Sequence, residues 1–239
     1  MKKLFSIFAL LFIISTAQSQ VLITLLLGDK LNSDGLEFGL EGGVNWTTIS
    51  GLESSDYLHK FNMGFYFDIR IKNQWNFYTG VLVKSNLGTD ELTTTDLVNL
   101  GATKYKDNNG VDLVGDYSHK MSYFMVPTLI KYKFKNHFYA EIGPQFGLMY
   151  KSWIEFNADI EGKDAIFKEY NKDKINRIDA GAMIGFGYTL FKGSGWTIGV
   201  KYYYGFVDVY KDVNNTKNSS FFAKLNIPIG AGKKPDKKE

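Results

Sequence analysis

The chain contains no cysteine, and its 28 basic side chains nearly balance its 25 acidic ones, giving a formal net charge of only +3. Without cysteine, neither a disulfide framework nor a thiolate metal site can form. A chain with a near-neutral charge balance shows no sign of the basic surface that binds nucleic acid. These absences exclude disulfide-rich scaffolds, thiolate zinc sites and nucleic-acid-binding domains as descriptions of the chain.

Long hydrophobic runs are also missing, with one exception at the N-terminus. An apolar run over residues 4–14 follows the basic residues Lys2 and Lys3, and Ala17-Gln18-Ser19 is a plausible cleavage site. This three-part pattern predicts a signal peptide over residues 1–19. The run is too short for a membrane-spanning helix, which needs about 20 residues. A membrane protein without such helices has to be a closed barrel, because lipid leaves backbone groups unsatisfied in anything else.

What the chain has instead is a regular alternation of bulky residues with small or polar ones. It is clearest over residues 60–84, where two predicted strands flank the turn Lys72-Asn73-Gln74. One face of these strands is bulky and uncharged, while the other carries glycine and charge. A period of two predicts β-strands with one apolar and one polar face. Eight segments of the chain show this pattern, which suits a single all-β domain.

The connections between the eight predicted strands alternate in length. Short turns follow predicted strands 2, 4 and 6, whereas longer polar loops follow strands 1, 3, 5 and 7, the longest being residues 89–115 and 153–176. Outer-membrane barrels have this asymmetry, with short periplasmic turns and longer external loops. Both termini are then predicted to lie in the periplasm. The chain divides into a periplasmic segment (20–34), the barrel (35–230) and a disordered basic tail (231–239).

The volume of the bulky face decides which side of the barrel points outward. The interior of an eight-stranded barrel is just wide enough to be filled by side chains. It cannot hold every large apolar residue, but it can hold the face on which the glycines gather. The bulky face is therefore predicted to meet lipid. The predicted fold is an all-β, eight-stranded antiparallel up-and-down transmembrane β-barrel.

The tryptophans give an independent indication of a membrane. They lie beside predicted turns and loops, as expected for an interfacial aromatic girdle. The predicted girdle residues are Trp46, Trp75, Trp153 and Trp196.

The face predicted to point inward carries charges of both signs in similar number. Charges in a low-dielectric interior need partners, and mixed signs permit pairing. We interpret the set as a salt-bridged structural cluster rather than a proton or ion path, with Asp68 and Lys84 as one possible pair. The predicted members are Glu41, Asp68, Arg70, Lys84, Lys131, Glu141, Arg177, Asp179, Lys201 and Lys224.

The sequence gives weak support for catalysis. A lipid A-modifying barrel needs a His and a Ser with an acidic partner near the outer leaflet. Asp116, Ser118, His119 and Ser122 near the external end of predicted strand 4, with His59 near that of predicted strand 2, approach that pattern. Ser118 and His119 are consecutive, so they point to opposite faces of a strand. Residues 107–112 resemble a calcium loop superficially, but their glycine is displaced from the EF-hand position. We therefore predict no catalytic residue, no metal site and no cofactor.

Three segments resemble the PorT-like family of small outer-membrane β-barrel proteins. They are residues 35–46 (GLEFGLEGGVNW), 126–134 (VPTLIKYKF) and 140–147 (AEIGPQFG), and the similarity extends over nearly the whole chain after the signal peptide. The resemblance implies an integral outer-membrane barrel without catalytic residues, in a family with some members linked to protein secretion. The basic tail is a departure from many other outer-membrane barrels, which end in an aromatic residue.

These observations predict a non-enzymatic, monomeric barrel in the outer membrane of a Gram-negative bacterium. We expect it to contact outer-membrane lipid and to bind an unknown protein or ligand through its external loops or its periplasmic tail. A role in envelope secretion or assembly fits the resemblance. A narrow porin-like channel and, with less support, a lipid A-modifying enzyme remain alternatives.

Overall fold

The structure is a computed structural model that describes residues 35–229 apart from residues 55, 108, 161 and 194. The predicted signal peptide, periplasmic segment and basic tail lie outside the described residues. Within the described part of the chain, no helix has the length and apolar character needed to cross a membrane.

Nine β-strands make up most of the described chain, and all of their pairings are antiparallel. Two short helices and a 3-10 turn at Lys172–Lys174 lie between strands. In chain order the strands and helices are β1 (Leu36–Ser50), β2 (Leu58–Lys72), β3 (Trp75–Thr89), α1 (Thr94–Asn99), β4 (Asp116–Lys133), β5 (Phe138–Ile160), β6 (Lys163–Tyr170), β7 (Ile178–Thr189), α2 (Leu190–Gly193), β8 (Thr197–Asp208) and β9 (Lys217–Pro228).

Eight of these strands close into a ring. Going round, the order is β1, β2, β3, β4, β5, β7, β8 and β9, and β9 pairs back onto β1. The remaining strand, β6, pairs with β5 beyond the point where β5 leaves β7. The predicted eight-stranded antiparallel barrel is confirmed, and its order is up-and-down because ring neighbours follow one another along the chain.

The bulky face of the ring points outward. Every ring strand contributes at least one large apolar side chain that is between 41% and 60% exposed. We call these exposed side chains the apolar band. A continuous exposed apolar surface of this kind needs a lipid covering. Representative members are Val44, Phe61, Trp75, Ile130, Ile142, Phe186, Val200 and Phe221.

The opposite face packs closely because glycines make room for large rings. The Tyr139 side chain lies over Gly187 and Gly199, where an added Cβ would collide with the tyrosine ring or hydroxyl. Tyr139 is only 1% exposed. The glycine-rich face that the sequence places inside is therefore filled by the few large side chains it carries.

The two ends of the barrel differ in construction. At one end, which we call the turn end, tight connections join β2 to β3, β4 to β5, and β7 to β8. Three residues there have positive φ, namely Asn73 at 52°, His137 at 70° and Phe191 at 53°. Tight hairpin turns need such left-handed residues. The other end, the loop end, carries every longer connection.

The loop-end connections fold into an ordered layer over the mouth of the barrel. We call this layer, made of the described residues within 51–57, 87–122, 151–177 and 209–216, the cap. The apolar side chains of its interior are at most 7% exposed. The cap core contains Leu87, Leu92, Leu97, Leu100, Met121, Ile154, Ile175, Val209 and Tyr210. Because β4 and β5 continue into the cap past the apolar band, the cap lies outside the membrane-spanning segments.

The long loop predicted over residues 153–176 is largely a β-hairpin in the structure. Tyr123 pairs with Met149 but Ser122 pairs with Lys151, so Tyr150 is an extra residue in the ladder. This β-bulge inverts which residues face inward. Past the bulge, β5 continues to Ile160 and pairs with β6 as a hairpin. The alternation is present in the sequence, but the phase change conceals it.

The loop predicted over residues 89–115 contains the helix α1. The Thr93 side chain accepts a hydrogen bond from the Asp96 backbone N–H at 3.1 Å, and the Asp96 carboxylate accepts one from the Thr93 backbone N–H, also at 3.1 Å. This reciprocal pair is a capping box. The Asp96 carboxylate also accepts from the backbone N–H groups of Glu53 and Ser54. The helix start thereby ties the β3–β4 connection to the β1–β2 connection.

The orientation of the barrel can be tested with single cysteines, because the wild-type chain has none. We expect Asn109→Cys and Lys163→Cys, both on the cap, to react with an impermeant maleimide on whole cells, since long loops of such barrels face outward. Lys135→Cys, at the turn end, should react only after lysis. Labelling of intact cells at Lys135 alone would invert the orientation.

The outward face can be tested by placing a charge at two heights along the outward side of β2. Phe65→Arg should lower the free energy of unfolding in vesicles by about 2–4 kcal/mol if the position lies near the bilayer midplane. The matched control is Ile71→Arg at the turn end, which should cost about 0–1 kcal/mol. Equal stability of the two variants in urea titrations would contradict the assigned depth.

Candidate functional site

Six side chains of the barrel interior, three lysines and three carboxylates, form ion pairs with one another and are each at most 4% exposed. We call these residues, which come from six different strands, the lumen cluster. Its members are Glu41, Asp68, Lys131, Glu141, Lys201 and Lys224.

Each lysine of the lumen cluster is paired with a carboxylate. Lys131 donates to Asp68 at 2.9 Å, Lys224 donates to Glu141 at 2.6 Å, and Lys201 donates to Glu41. These pairs join strands that are not neighbours in the ring, so they reach across the lumen. The ion pairs therefore connect the barrel wall from inside.

Aromatic rings fill the space between the ion pairs. The Lys131 ammonium lies 4.2 Å from the centroid of the Tyr139 ring, and the Lys224 ammonium lies 4.3 Å from that of the Tyr78 ring. The Tyr78 hydroxyl donates to Glu41 and accepts from the Asn226 amide at 2.8 Å. Such contacts favour cations over ring faces in a desolvated interior. The interior is a packed polar core in which each lysine of the lumen cluster lies next to a carboxylate.

Four of the residues predicted for this cluster have other surroundings. Arg70 and Arg177 are exposed, the first at the turn end and the second just before β7 begins. Lys84 is also exposed, because the β2–β3 register shifts between Met63 and Gly64 and sets Lys84 opposite the exposed Met63. Asp179 is buried but its partner is the Asn218 amide at 2.8 Å.

The predicted Asp68–Lys84 pair is therefore wrong. Asp68 instead binds Lys131 and, at 3.0 Å, Lys133. The physical reason is the bulge in β3, which changes the phase of alternation that the sequence analysis carried through Lys84.

The four tryptophans lie at three different heights along the barrel axis. Trp75 and Trp196 are about half exposed at the turn end, and Trp46 is 36% exposed towards the loop end. Trp153 lies on the β5–β6 hairpin in the cap, where its indole N–H donates to Glu155 at 3.0 Å. Trp153 is thus beyond the apolar band, whereas Trp75 and Trp196 lie at its turn-end border and Trp46 at its loop-end border.

The weak catalytic pattern of the sequence is spread over both faces of β4. His119 is fully buried in the cap. Ser118 has Glu155 as its register partner, whereas His119 has Ile154. Asp116 is exposed. Ser118 and Asp116 therefore lie on the opposite face of the strand from His119.

The actual partners of His119 come from distant parts of the chain. Its Nδ1 lies 2.6 Å from the Tyr210 hydroxyl, and its Nε2 lies 2.9 Å from the Ser152 hydroxyl and 3.3 Å from the Asn171 amide. Ser152 also donates to the Asn171 side-chain oxygen at 2.7 Å. No sequence signal identified Ser152, Asn171 or Tyr210, because each lies at least 33 residues from His119.

This arrangement does not have the chemistry of a catalytic triad. The hydrogen-bond partners of His119 are hydroxyls and an amide, so no carboxylate orients the imidazole as a general base requires. Burial lowers the pKa of His119 to about 4, which keeps the imidazole neutral at neutral pH. The group joins β4, β5 and two connections of the cap, and its geometry fits a structural role.

The comparison with protein families decides what kind of barrel this is. Residues 17–211 match the family described as outer membrane protein beta-barrel domain. The chain belongs to this family. As an outer-membrane β-barrel of a Gram-negative bacterium, it has lipid against its apolar band, and its lumen cluster lies in the membrane-spanning part of the barrel.

Solved structures similar to this chain are also outer-membrane proteins. Ail of Yersinia pestis, in complex with the heparin analogue sucrose octasulfate, is 11% identical with a TM-score of 0.41, covering 82% of this chain and 100% of Ail. Neisserial surface protein A is 14% identical with a TM-score of 0.43, covering 81% and 99%. OprG from Pseudomonas aeruginosa is 11% identical with a TM-score of 0.33, covering 81% and 93%. No curated protein sequence matches the chain.

The pairing in the lumen cluster can be tested by removing one partner. Lys201→Met should lower the free energy of unfolding by about 3–5 kcal/mol, because Glu41 is left as a buried unpaired charge. Adding Glu41→Gln should recover much of that loss. Arg70→Met is the exposed control and should change stability by about 0.5 kcal/mol or less. A double variant no more stable than Lys201→Met would argue against the pair.

The buried histidine should make the cap sensitive to acid. An unfolded histidine has a pKa of about 6.5, so the lowered folded value stabilises the cap above that pH. This stability is lost as the pH falls from 6.5 to 4, in total about 3 kcal/mol. Hydrogen exchange of cap peptides, corrected for intrinsic rates, should rise between pH 7 and pH 5.

The control for this measurement is His119→Gln, which keeps hydrogen-bonding groups but cannot titrate in this range. Peptides from the membrane-spanning part of β2 serve as an internal reference. An unchanged pH dependence in the variant would assign the acid sensitivity to another group.

Proposed function

We propose that this protein is a closed, non-enzymatic outer-membrane barrel that binds a ligand or partner at its loop end, outside the cell. The observation that carries the proposal is the filled lumen, in which the lumen cluster and the rings of Tyr66, Tyr78 and Tyr139 occupy the interior. An eight-stranded ring leaves little space beyond its inward side chains. A barrel that is closed to solutes has to act through its exposed ends.

The form of the cap supports binding at the loop end. Its apolar core and the capping box of α1 hold the connections in one arrangement, and preorganised loops lose less entropy on binding. The cap surface also carries exposed apolar side chains away from the apolar band, including Val98, Val114, Ile166 and Tyr170. Exposed apolar side chains that no lipid covers are typical of interaction surfaces.

We further propose a topology, a monomeric state and a finer family assignment for this barrel. Short turns at the end opposite the cap support an orientation with both termini in the periplasm. One chain closes its own barrel and pairs its own buried charges, which supports a monomer. The glycine-aromatic segments at residues 35–46 and 140–147 support the finer PorT-like assignment and, with it, a role in envelope secretion or assembly.

We propose that the protein is not an enzyme because of the surroundings of His119. A lipid-modifying site needs an accessible nucleophile with a base and an orienting acid. His119 is buried and bonded to hydroxyls and an amide. The lipid A mass spectrum of a deletion strain should match that of the parent strain, and a changed spectrum would bring the lipid A-modifying enzyme forward.

Conductance across planar bilayers tests the closed barrel directly. Purified full-length protein should give no steady conductance at neutral pH, whereas an open porin prepared in the same detergent should conduct. Detergent alone serves as the blank. Stable, ion-selective channels would refute the closed lumen and make the narrow porin-like channel the leading function.

A further inference from the structure

A cavity of about 700 Å³ lies at the loop end, against the outer face of the barrel. Its volume lies within the range of small-molecule sites. The lining residues are four ring-bearing side chains and three carboxylates, namely Trp46, Tyr57, His59, Phe221, Asp56, Asp90 and Glu91.

The barrel wall arranges three of these rings side by side. Trp46 has His59 as its register partner on β2 and Phe221 as its register partner on β9. Register partners on neighbouring strands project from the same face. The Trp46 and His59 ring centroids are 6.3 Å apart with their planes at 84°, and the Phe221 side chain is 49% exposed. The result is a rigid aromatic wall at the loop-end border of the apolar band, where the rings line the cavity.

The carboxylates are brought together by the backbone. The Asp90 backbone N–H donates to the Asp56 carbonyl oxygen at 3.2 Å, and the Thr89 hydroxyl donates to that same oxygen at 3.0 Å. The Ser54 hydroxyl donates to the Asp90 carbonyl oxygen at 2.5 Å. Two separate connections are thereby fixed with their acidic side chains on one cavity.

These carboxylates differ from those in the lumen because none of them is held in an ion pair, although the charge of Lys60 acts on Asp90. In the part of the chain that the structure describes, no lysine or arginine forms a salt bridge with Asp56, Asp90 or Glu91. Glu91 lies in the connection beyond the membrane-spanning strands, and the negative charge of Asp56 beside it raises its pKa. A cation entering the cavity would relieve this like-charge crowding.

The layout of the cavity favours an organic cation over a metal ion. Among the described residues, no group of three or more His, Asp and Glu side chains is arranged to hold a metal ion. The carboxylates border a space large enough for a small molecule, and the opposite wall is aromatic. Aromatic faces attract ammonium groups, with tryptophan the most effective ring.

We propose that this cavity binds a small organic cation, an ammonium group carrying an apolar substituent. The rings of Trp46, Tyr57 and Phe221 contact the alkylated ammonium, while Asp56, Asp90 and Glu91 neutralise its charge. The proposal rests on the proposed function, since it names the ligand class for binding at the loop end.

The decisive comparison uses two ligands of the same shape that differ in charge. Choline and its uncharged isostere 3,3-dimethyl-1-butanol are titrated calorimetrically into purified full-length protein in a maltoside detergent, because phosphocholine detergents would occupy the site. Choline should bind saturably, and the alcohol about tenfold more weakly. The choline affinity should also fall as salt is raised. Absence of saturable choline binding, or equal binding of the alcohol, would overturn the proposal.

Variants then assign the binding to this cavity. Trp46→Leu and Glu91→Gln should each weaken choline binding about three- to tenfold. Trp196→Leu, with a tryptophan of similar exposure at the turn end, and Asp159→Asn, an exposed acid on the hairpin, should leave it unchanged. Equal losses in the control variants would overturn the assignment. If Trp46→Leu fails to assemble, the result for Glu91→Gln decides the test. Glu91 lies in an exposed connection, so its replacement should not impair assembly.

The two proposals fail in different ways. Channels in planar bilayers would refute the closed barrel, whatever choline does. A barrel that does not conduct and does not bind choline would keep the proposed function and lose only the ammonium site.

Discussion

The narrow interior of an eight-stranded ring is the constraint on which the rest of this structure depends. A ring of that size is just filled by side chains, so the bulky half of each alternating strand has to point outward. The inner half then carries glycines, a few Leu and Met side chains, charged groups and a small number of large rings. Tyr139 fits only because Gly187 and Gly199 leave room for it. Any charge on the inner face is buried, and a buried charge without a partner is costly. The lysines of the lumen cluster meet carboxylates across the ring for this reason.

Because side chains fill the interior, the accessible surface of the barrel that lipid does not cover lies at its two ends. At the turn end the connections are short, and several use residues with positive φ to reverse the chain. At the loop end, by contrast, β4 and β5 continue past the apolar band, and a bulge at Tyr150 inverts the alternation so that Ile154 can face the core of the cap. The apolar core of the cap is continuous with buried side chains of the lumen beneath it, such as Tyr123 and Met125. His119 lies in that core and joins segments that the barrel itself does not connect.

Two sets of carboxylates show how location decides the role of a residue type. Glu41, Asp68 and Glu141 lie inside the ring, where lysines from other strands bind them and the whole group is inaccessible. Asp56, Asp90 and Glu91 lie beside an aromatic wall at the loop end, and no lysine or arginine of the described residues is paired with them. The first set stabilises the closed barrel, and the second is free to interact with a positive ligand. The same side-chain chemistry thus serves structure in one place and recognition in the other.

The sequence by itself determined the strands, their number in the ring and the direction of the bulky face, because these follow from local alternation, turn lengths and side-chain volume. It did not determine where that alternation changes phase. A bulge depends on the register of the partner strand, so the exposure of Lys84 and the hairpin of β5 with β6 appear only once the strands are paired. Contacts across the ring were equally hidden: Asp68 binds Lys131, and His119 meets Ser152, Asn171 and Tyr210. Residues so far apart in the chain become neighbours only when the ring closes and the connections fold over it, and that step belongs to the tertiary structure.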